Sequence, residues 1–484
     1  MLRTVKAFIH GRHVTGRGVA RTLLDPHNRT PITQFNDVDA QQVAEAVKSA
    51  KEAQPLWAKM TPASRGAILR RAAAILTQET EKVQMLECID TGRVLAEMEA
   101  DILSATDCLE HFAGIAPTLG GQMLDIHSPN WAYTRREPIG ITAGIGAWNY
   151  PLQSAAWKSA PALAFGNAMI FKPSEETPLS AVRLAEIYVE AGVPPGVFNV
   201  VIGGGEVGSA LVSHPSVRKV SFTGSVPTGR KVYSTCAEQI KPATMELGGK
   251  SALIVFSDTD LHEAVSGAML ANWYSNGQVC SNGTRVFVHE SIHDAFVDLL
   301  VKRTAALKIG PPLHADSQVG PMITTTHLDK VRSYIQIGID EGATLAYGGT
   351  TPPDLTQGNY ILPAIFTNCH DDMRIVQEEI FGMVACILPF RDEDEVISRA
   401  NASPFGLSAG VFTNDMRRAH RVVHQLQVGT SWINTYNIAP VELPWGGVKA
   451  SGIGRENGVA AAHAWTQLKS VYVEMDSVVP CPYA

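Results

Sequence analysis

The chain has 484 residues, of which 45% are apolar and 18% charged, and its 40 basic and 47 acidic residues give a formal net charge of −7. This length predicts about three structural units. The globular composition argues against disorder, collagen and coiled coil, and the mild acidity without long basic runs argues against nucleic acid as a partner.

No targeting or membrane segment is predicted. The N-terminus lacks the apolar run and cleavage site of a secretory signal. The longest uncharged stretch, residues 138–157, contains glycine, asparagine and proline, which favours a strand, a turn and a helix start over a membrane span. Seven cysteines without a CxxC pair suit a reducing compartment, so a cytoplasmic protein is predicted.

The sequence pattern predicts a mostly helical region of about 130 residues, followed by two blocks in which strands and helices alternate. Apolar runs and periodic spacing predict strands at 139–148, 168–171, 197–202 and 219–222, with helices at 151–165, 179–191 and 206–213. Such alternation indicates an α/β fold with a parallel, doubly wound sheet. The second block predicts strands at 252–256, 284–288, 408–412 and 431–434, and a helix capped by Asp258 or Asp260.

Two motif matches are ambiguous or misleading. Residues 203–208 fit GxGxxG, but they lie after two earlier β-α units, so they either touch a nucleotide or form a tight turn. Residues 289–293 fit HExxH, but a strand precedes them and His289 and His293 then straddle an element boundary. We therefore expect no metal site.

One cysteine stands apart from the other six. Cys280 lies in a polar bend of small residues between a helix and a strand, whereas Cys386 lies inside an apolar run. Glu246 ends an apolar strand just before a glycine pair, as either an ion-pair partner or a general base. Asn149 also ends a strand, as either a helix cap or an oxyanion donor.

The segment 222–229 also ends a strand and opens a helix. Gly224 permits a tight chain reversal, and the N–H groups of the helix start can bind phosphate. An ordinary turn with Ser225 as the helix cap is the alternative, although it does not explain the whole set of small residues.

Taken together, ordered motifs along nearly the whole chain resemble those of the NAD(P)-dependent aldehyde dehydrogenase superfamily. They are Trp148-Asn149-Tyr150-Pro151, Phe171-Lys172-Pro173-Ser174-Glu175, Phe222-Thr223-Gly224-Ser225, Met245-Glu246-Leu247-Gly248-Gly249-Lys250, Gly277-Gln278-Val279-Cys280, Glu378-Glu379-Ile380-Phe381-Gly382 and Ser451-Gly452-Ile453-Gly454-Arg455-Glu456. Met383 departs from the pattern, because the family usually has proline there, which puts the rigidity of that loop in question.

The resemblance implies Cys280 as nucleophile, Glu246 as general base and Asn149 as oxyanion donor. Lys172 and Glu379 are implied to bind ribose, with the phosphates near Ser225. The full set expected at the cofactor is Trp148, Lys172, Ser174, Glu175, Gly205, Phe222, Thr223, Gly224, Ser225, Gly229, Leu247, Glu379 and Phe381. Glu175, by binding ribose hydroxyls, favours NAD over NADP, although use of both stays open.

The segment 434–447 is similar to the branch of the family that oxidises betaine aldehyde, 4-trimethylaminobutyraldehyde and aminoaldehydes. Tyr150 and Trp157 are seven residues apart and share a helix face, and with Tyr274 and Trp445 they are expected to form an aromatic box. Aromatic faces hold quaternary ammonium groups by about 0.5 to 2 kcal/mol each. The alternative is a hydrophobic tunnel for benzyl or alkyl aldehydes.

The resemblance further implies three units and an assembly of dimers or tetramers. We expect a modified Rossmann NAD-binding domain at 1–119 and 139–247, a catalytic domain at 248–448, and an oligomerisation element at 120–138 and 466–484. The predicted activity is irreversible oxidation of an aldehyde to an acid through a cysteine thiohemiacetal and thioester. A broad-range aldehyde dehydrogenase and a non-catalytic NAD-binding homologue are the rival hypotheses.

Overall fold

The computed structural model of the chain describes residues 3–475 and 481–483. Its helices are α1 Ala40–Lys59, α2 Pro62–Gln78, α3 Thr80–Thr91, α4 Leu95–Ile115, α5 Pro151–Ala164, α6 Leu179–Ala191, α7 Gly205–Ser213, α8 Val226–Glu238, α9 Leu261–Asn272, α10 His293–Ala305, α11 Thr325–Asp340, α12 Arg374–Gln377, α13 Glu393–Asn401, α14 Met416–Gln425 and α15 Gly458–Ala464. Short 3-10 turns lie at Tyr274–Gly277 and Glu290–Ile292.

The strands are β1 Arg3–Thr4, β2 Ala7–Ile9, β3 Arg12–Val14, β4 Ala20–Leu24, β5 Pro31–Asn36, β6 Met123–His127, β7 Asn130–Pro138, β8 Ile141–Ile145, β9 Ala168–Lys172, β10 Phe198–Val200, β11 Lys219–Thr223, β12 Ala243–Glu246, β13 Ala252–Val255, β14 Arg285–His289, β15 Thr344–Tyr347, β16 Ala364–Thr367, β17 Val384–Phe390, β18 Phe405–Gly406, β19 Ser408–Phe412, β20 Thr430–Ile433, β21 Val448–Lys449, β22 Gly452–Ile453 and β23 Thr466–Val473. Two large sheets and their covering helices confirm the predicted α/β class.

The first sheet has the strand order β22-β12-β11-β8-β9-β10-β2-β3, and its five central strands run parallel. Their residues are almost all buried, because helices cover both faces of a doubly wound sheet. Strand β22 joins the edge antiparallel to β12 and places Gly452 opposite Glu246. The sequence pattern did not predict this two-residue strand.

The second sheet has the order β15-β16-β17-β14-β13-β19-β20 and is parallel except for β15. It has its own buried apolar cluster, separate from the cluster around the first sheet. The chain therefore builds two cores, one for each predicted α/β block.

A third, three-stranded sheet has the order β23-β7-β6 and joins residues 123–138 to 466–473. These are the two segments expected to form the oligomerisation element. Residues 476–480 and 484 of that expected element, and residues 1 and 2 of the expected NAD-binding domain, lie outside the described residues. Across 3–475 and 481–483, the helices are all too short or too polar to cross a membrane.

Local signals in the sequence account for several element ends. Gly192 closes α6 in the left-handed conformation with φ of 101°, which favours glycine. Asp260, and not Asp258, caps α9 by accepting the Glu263 N–H. His289 ends β14 and His293 begins α10, as predicted, so HExxH does not lie on one helix.

Candidate active site

The loops that follow the parallel strands of the first sheet face the second sheet across a cavity of about 820 Å³. Asn149, Glu246 and Cys280 all line this cavity, although 131 residues separate the first from the last. Binding crevices of doubly wound sheets lie at the carboxyl ends of their strands. The cavity is therefore the candidate active site.

Asn149 lies between β8 and α5 and is held by a hydrogen bond from its side chain. Its Nδ2 donates to the Gln278 carbonyl oxygen at 2.8 Å, two residues before Cys280. An amide nitrogen carries two hydrogens. One hydrogen thus fixes the orientation of the amide and the other is left to act as a donor toward the cavity.

Cys280 lies in the turn between the segment Tyr274–Gly277 and β14, and its side chain is partly exposed. Desolvation raises the pKa of its thiol to about 12, and the carboxyls of Glu246 and Glu379 add to the rise. The backbone N–H groups of Cys280 and Ser281 act in the opposite direction. The thiol is therefore protonated at neutral pH and needs a base before it attacks.

Glu246 ends β12 and is 4% exposed. Desolvation raises the pKa of its carboxyl well above the ordinary value, and the neighbouring Glu456 raises it further, while Lys158 and Arg455 lower it. Glu456 pairs with the buried Lys158, which also donates to Thr223 Oγ1 at 2.7 Å. A second carboxylate and a buried ammonium thus tune the basicity of Glu246.

The other end of the cavity carries most of the expected cofactor residues. Lys172 Nζ donates to Glu175 Oε2 at 3.4 Å, and both residues line the wall beside α7. The Ser225 side chain makes no capping hydrogen bond, which leaves the N–H groups at the start of α8 free for an anion. The expected residues that line the cavity are Trp148, Lys172, Ser174, Glu175, Gly205, Phe222, Thr223, Gly224, Ser225, Leu247, Glu379 and Phe381.

Gly229 is the one expected cofactor residue that does not line the cavity. A Cβ atom at this position would lie 2.4 Å from Leu247 Cδ2. Gly229 therefore lets α8 approach Leu247, which does line the cavity. Gly205 and Gly208 also line it, so the GxGxxG segment lies at the wall of the cavity.

The loop that bears Glu379 and Phe381 is fixed by contacts on both sides. Glu379 Oε1 accepts the Gly249 N–H at 3.1 Å. His327 Nε2 lies 2.7 Å from the Phe381 carbonyl oxygen, and the rings of Trp148, His327 and Phe381 pack edge to face at 5.1 to 6.0 Å. Burial lowers the pKa of His327 to about 4, so it is neutral here. These contacts hold the loop even though Met383, itself buried, stands where proline is usual.

The four aromatic residues expected at the substrate form two groups. The rings of Trp157 and Trp445 pack at 6.1 Å, and Trp432 adjoins Trp445 at 6.2 Å. Tyr150 and Tyr274 instead lie beside the guanidinium of Arg93, with ring centroids 4.2 and 5.8 Å from its Cζ atom. Tyr150, Trp157, Tyr274 and Trp445 are not among the residues that line the cavity, and the guanidinium against which two of them stack was not predicted.

Sequence reasoning missed several polar residues of the site. A lysine inside the otherwise largely apolar helix α5 is a signal that could have marked Lys158, whereas the polar neighbours of Arg93 in sequence give no such signal. The missed residues are Arg93, Lys158, His327, Lys330, Trp432 and Glu456.

Comparison with known proteins agrees with this geometry. The sequence pattern of the Aldehyde dehydrogenase family matches residues 14–471. A betaine aldehyde dehydrogenase of Mesorhizobium japonicum is 52% identical over 484 residues, 99% of each chain, and one of Brucella anthropi is 53% identical over 475 residues, 97% of each chain.

Solved structures have the same fold. A putative aldehyde dehydrogenase from Burkholderia cenocepacia superposes with a TM-score of 0.97 at 39% identity over 99% of both chains. A betaine aldehyde dehydrogenase from Staphylococcus aureus in complex with NAD+ superposes with a TM-score of 0.96 at 37% identity over 98% of this chain and 96% of that chain.

The doubly wound sheet, the thiol in its crevice and the likeness to a solved enzyme in complex with NAD+ together identify a pyridine-nucleotide-dependent oxidoreductase. Within that class, the chain belongs to the aldehyde dehydrogenase family.

The environment of Cys280 predicts a steep pH dependence of its alkylation. In a Cys481→Ser background, which removes an exposed thiol, we expect the rate with iodoacetamide to rise about tenfold per pH unit from about pH 6.5 to 9.5, because only the thiolate reacts. Glu246→Gln should be faster than wild type at the upper end of this range, since a charge that raises the thiol pKa is gone.

The label is assigned to Cys280 by mass spectrometry, with Cys280→Ala in the same background as the control. A rate that levels off below pH 9 would contradict the raised pKa.

Proposed function

We propose that the chain oxidises betaine aldehyde to its carboxylate with NAD+. The observation that carries the proposal is the common cavity of Cys280, Glu246 and Asn149, which also bears Lys172 and Glu175. The naming of relatives at 52% and 53% identity as betaine aldehyde dehydrogenases supports the choice of aldehyde.

The first chemical step is attack of the Cys280 sulfur on the aldehyde carbon. Since the thiol is protonated at neutral pH, a base must take its proton. Of the carboxylates that line the cavity, Glu246 raises the pKa of the thiol most, and we assign it this role. The aldehyde oxygen becomes an oxyanion in the thiohemiacetal. We assign its stabilisation to the free hydrogen of Asn149 Nδ2 and to the Cys280 backbone N–H, and one such donor is worth about 10²- to 10³-fold in rate.

NAD+, when bound, supplies the acceptor for the hydride that leaves the thiohemiacetal carbon. The residues present fit this cofactor. The N–H groups at the start of α8 would bind the phosphates, the glycines of α7 leave room at the wall, and Glu175 beside Lys172 would bind the ribose hydroxyls. The loss of hydride leaves a thioester on Cys280.

Hydrolysis of the thioester returns the enzyme to its starting state. Glu246 first releases to solvent the proton that it took from the Cys280 thiol. It then takes a proton from water as the resulting hydroxide attacks the thioester carbon, and the carbon–sulfur bond breaks. The Cys280 sulfur recovers the proton from Glu246, and the acid leaves as its carboxylate with its own proton lost to solvent. The raised pKa of Glu246 strengthens it as a base once it is ionised. A cysteine suits both steps, because it attacks readily and its thioester is easily cleaved.

The aromatic residues support a cationic substrate. A trimethylammonium group has no hydrogen to donate, so it binds to aromatic faces rather than to acceptors. We assign the trimethylammonium group to the rings of Trp157 and Trp445, which pack 6.1 Å apart, and the Trp157 Nε1 bond to Ser104 Oγ, 3.0 Å, fixes the Trp157 ring.

The three predicted units are consistent with the two cores and with the sheet β23-β7-β6, one of three small sheets in the described residues. We assign residues 1–119 and 139–247 to cofactor binding, 248–448 to catalysis, and 120–138 with 466–484 to assembly. The seven cysteines are all free, which suits a cytoplasmic enzyme.

The small sheet β23-β7-β6 supports assembly as a homo-oligomer, a dimer or a tetramer. It exposes a group of large apolar side chains, and groups of this kind mark protein interfaces. They are Met123 at 73% exposed, Leu124, Ile126, Leu468 at 60%, Tyr472 and Met475.

Betaine aldehyde is tested against 3,3-dimethylbutanal, which has the same shape and no charge. We expect wild type to favour the cation in kcat/KM by about tenfold or more, because each aromatic face adds about 0.5 to 2 kcal/mol. The measurement is NADH absorbance.

Cys280→Ala should abolish turnover of both aldehydes. Trp157→Leu should lower the preference for the cation, and Trp157→Phe, which keeps an aromatic face, should retain most of it. Equal use of the two aldehydes by wild type would instead indicate a broad-range enzyme, and no turnover of any aldehyde would indicate a non-catalytic homologue.

Cofactor choice is tested with Glu175→Gln. Removal of the carboxylate charge should raise kcat/KM with NADP relative to NAD by about tenfold, because repulsion of the 2′-phosphate is relieved. Glu206→Gln, on the exposed first turn of α7, is the control and should leave the ratio unchanged. An unchanged ratio in Glu175→Gln would remove Glu175 from cofactor selection.

Assembly is tested with Leu468→Glu, measured by sedimentation velocity. A charge in the proposed interface should shift the protein to a smaller species, since a desolvated unpaired charge is costly. Leu56→Glu, on α1 at 66% exposure, is the matched control. If both variants sediment like wild type, the small sheet is not the interface.

A further inference from the structure

Arg93 is the largest charged side chain fully removed from solvent, with 0% exposure, among the described residues. It lies between α3 and α4, behind the candidate active site. A buried guanidinium is costly unless it is paired and fully hydrogen-bonded. The groups around Arg93 must therefore supply its charge partners and its hydrogen-bond acceptors.

Two carboxylates of α4 compensate the charge of Arg93. Glu97 Oε2 lies 3.4 Å from Nε, and Asp101 forms an ion pair with the other end of the guanidinium. The two acids follow Arg93 by four and eight residues, so the first two turns of α4 present them on one face. The guanidinium is thereby fixed in position and orientation.

The remaining contacts of Arg93 reach the residues proposed for catalysis. Its Nη1 donates to the Asn149 carbonyl oxygen at 3.4 Å. Its plane lies over the Tyr150 ring, with Cζ 4.2 Å from the ring centroid. One side chain thus holds the backbone of the proposed oxyanion donor and the tyrosine that follows it.

These contacts form part of a closed ring. The Tyr150 hydroxyl lies 2.7 Å from Ser275 Oγ, and the Ser275 N–H donates to Glu97 Oε1 at 3.0 Å. Glu97 pairs in turn with Arg93, which stacks on Tyr150. The ring therefore joins the Asn149 loop, α4 and the turn that leads to Cys280.

The turn joined in this way has a strained backbone. Ser275 and Asn276 have φ of 53° and 55°, a left-handed conformation that glycine and asparagine tolerate but that serine rarely adopts. Such a backbone persists only where its surroundings hold it. The Glu97 carboxylate on the Ser275 N–H supplies part of this restraint, and Cys280 follows four residues after Asn276.

We propose that Arg93 is a positioning residue that, through this ring, holds the oxyanion-donor loop and the nucleophile turn in register. The proposal rests on the proposed function for the identity of the reaction. Arg93 touches neither the aldehyde nor the reacting atoms, and it acts through Asn149, Tyr150 and Glu97.

The test uses Arg93→Lys, which keeps the charge but loses the planar fork and the stacking surface. Arg65→Lys is the matched control, because Arg65 is also buried and its Nε donates to the Ala164 carbonyl at the far end of α5. With betaine aldehyde, we expect Arg93→Lys to lower kcat by about 10²-fold, as misplacement by an ångström does. The KM for NAD+ should stay within about twofold of wild type, since the cofactor wall is untouched.

A second readout does not require turnover. If the nucleophile turn loosens, water reaches Cys280 and its pKa falls, so alkylation at fixed pH should accelerate by about tenfold per unit of pKa in Arg93→Lys. Arg65→Lys should alkylate at the wild-type rate. An enzyme without aldehyde activity would overturn the proposed function, while this rate would still decide the role of Arg93.

Tyr150→Phe covers the case in which Arg93→Lys fails to fold, as judged by its thermal transition. It keeps the ring on the guanidinium and removes only the hydroxyl bond to Ser275, and we expect a smaller loss of kcat with faster alkylation. Either of two results would overturn the proposal. In the first, Arg93→Lys has the same kcat and alkylation rate as Arg65→Lys. In the second, Tyr150→Phe has the same kcat and alkylation rate as wild type.

Discussion

The desolvation of ionisable groups is the constraint on which this site depends. Protein atoms replace most of the water around four groups of the site: the thiol of Cys280, the carboxyls of Glu246 and Glu456, and the amine of Lys158. Desolvation is the first cause of the raised pKa of both Cys280 and Glu246. Burial alone would disfavour the charged forms of Cys280 and Glu246 that the chemistry uses. Each neighbour that forms an ion pair with one of these groups, or donates an N–H to it, therefore changes the reactivity of the group as well as its position.

The two-sheet architecture makes this arrangement possible. Parallel strands end at one edge, so β8 and β12 deliver Asn149 and Glu246 to the same crevice, and the second sheet brings Cys280 from the opposite side. The cofactor wall and the reacting groups then belong to one continuous cavity. A hydride donor and its acceptor can meet there only while both sheets keep their relative placement.

Much of the fold was predictable because its signals are local. Apolar runs and glycine at a helix end predicted β9 and α6 within a residue or two, and a polar bend around Cys280 separated it from the cysteine in β17. The ring around Arg93 was not predictable, since it joins α4 to residues about 50 and 180 positions away through contacts that leave no periodic pattern. Strand β22 was missed for a related reason, because a segment of two residues is too short to show an alternation of apolar and polar side chains.

The position of strand β22 near the end of the chain also determines when, during synthesis, the surroundings of Glu246 can form. The Glu246 backbone pairs with Gly452, more than 200 residues later in the chain, and the Leu247 N–H donates to the Ser451 carbonyl at 2.9 Å. During translation, an unfinished chain already holds the nucleophile, the glutamate and most of the cofactor wall, yet the edge of β12 stays bare until its partner emerges. A nascent chain therefore completes its reactive centre only after most of the scaffold that surrounds it has been made.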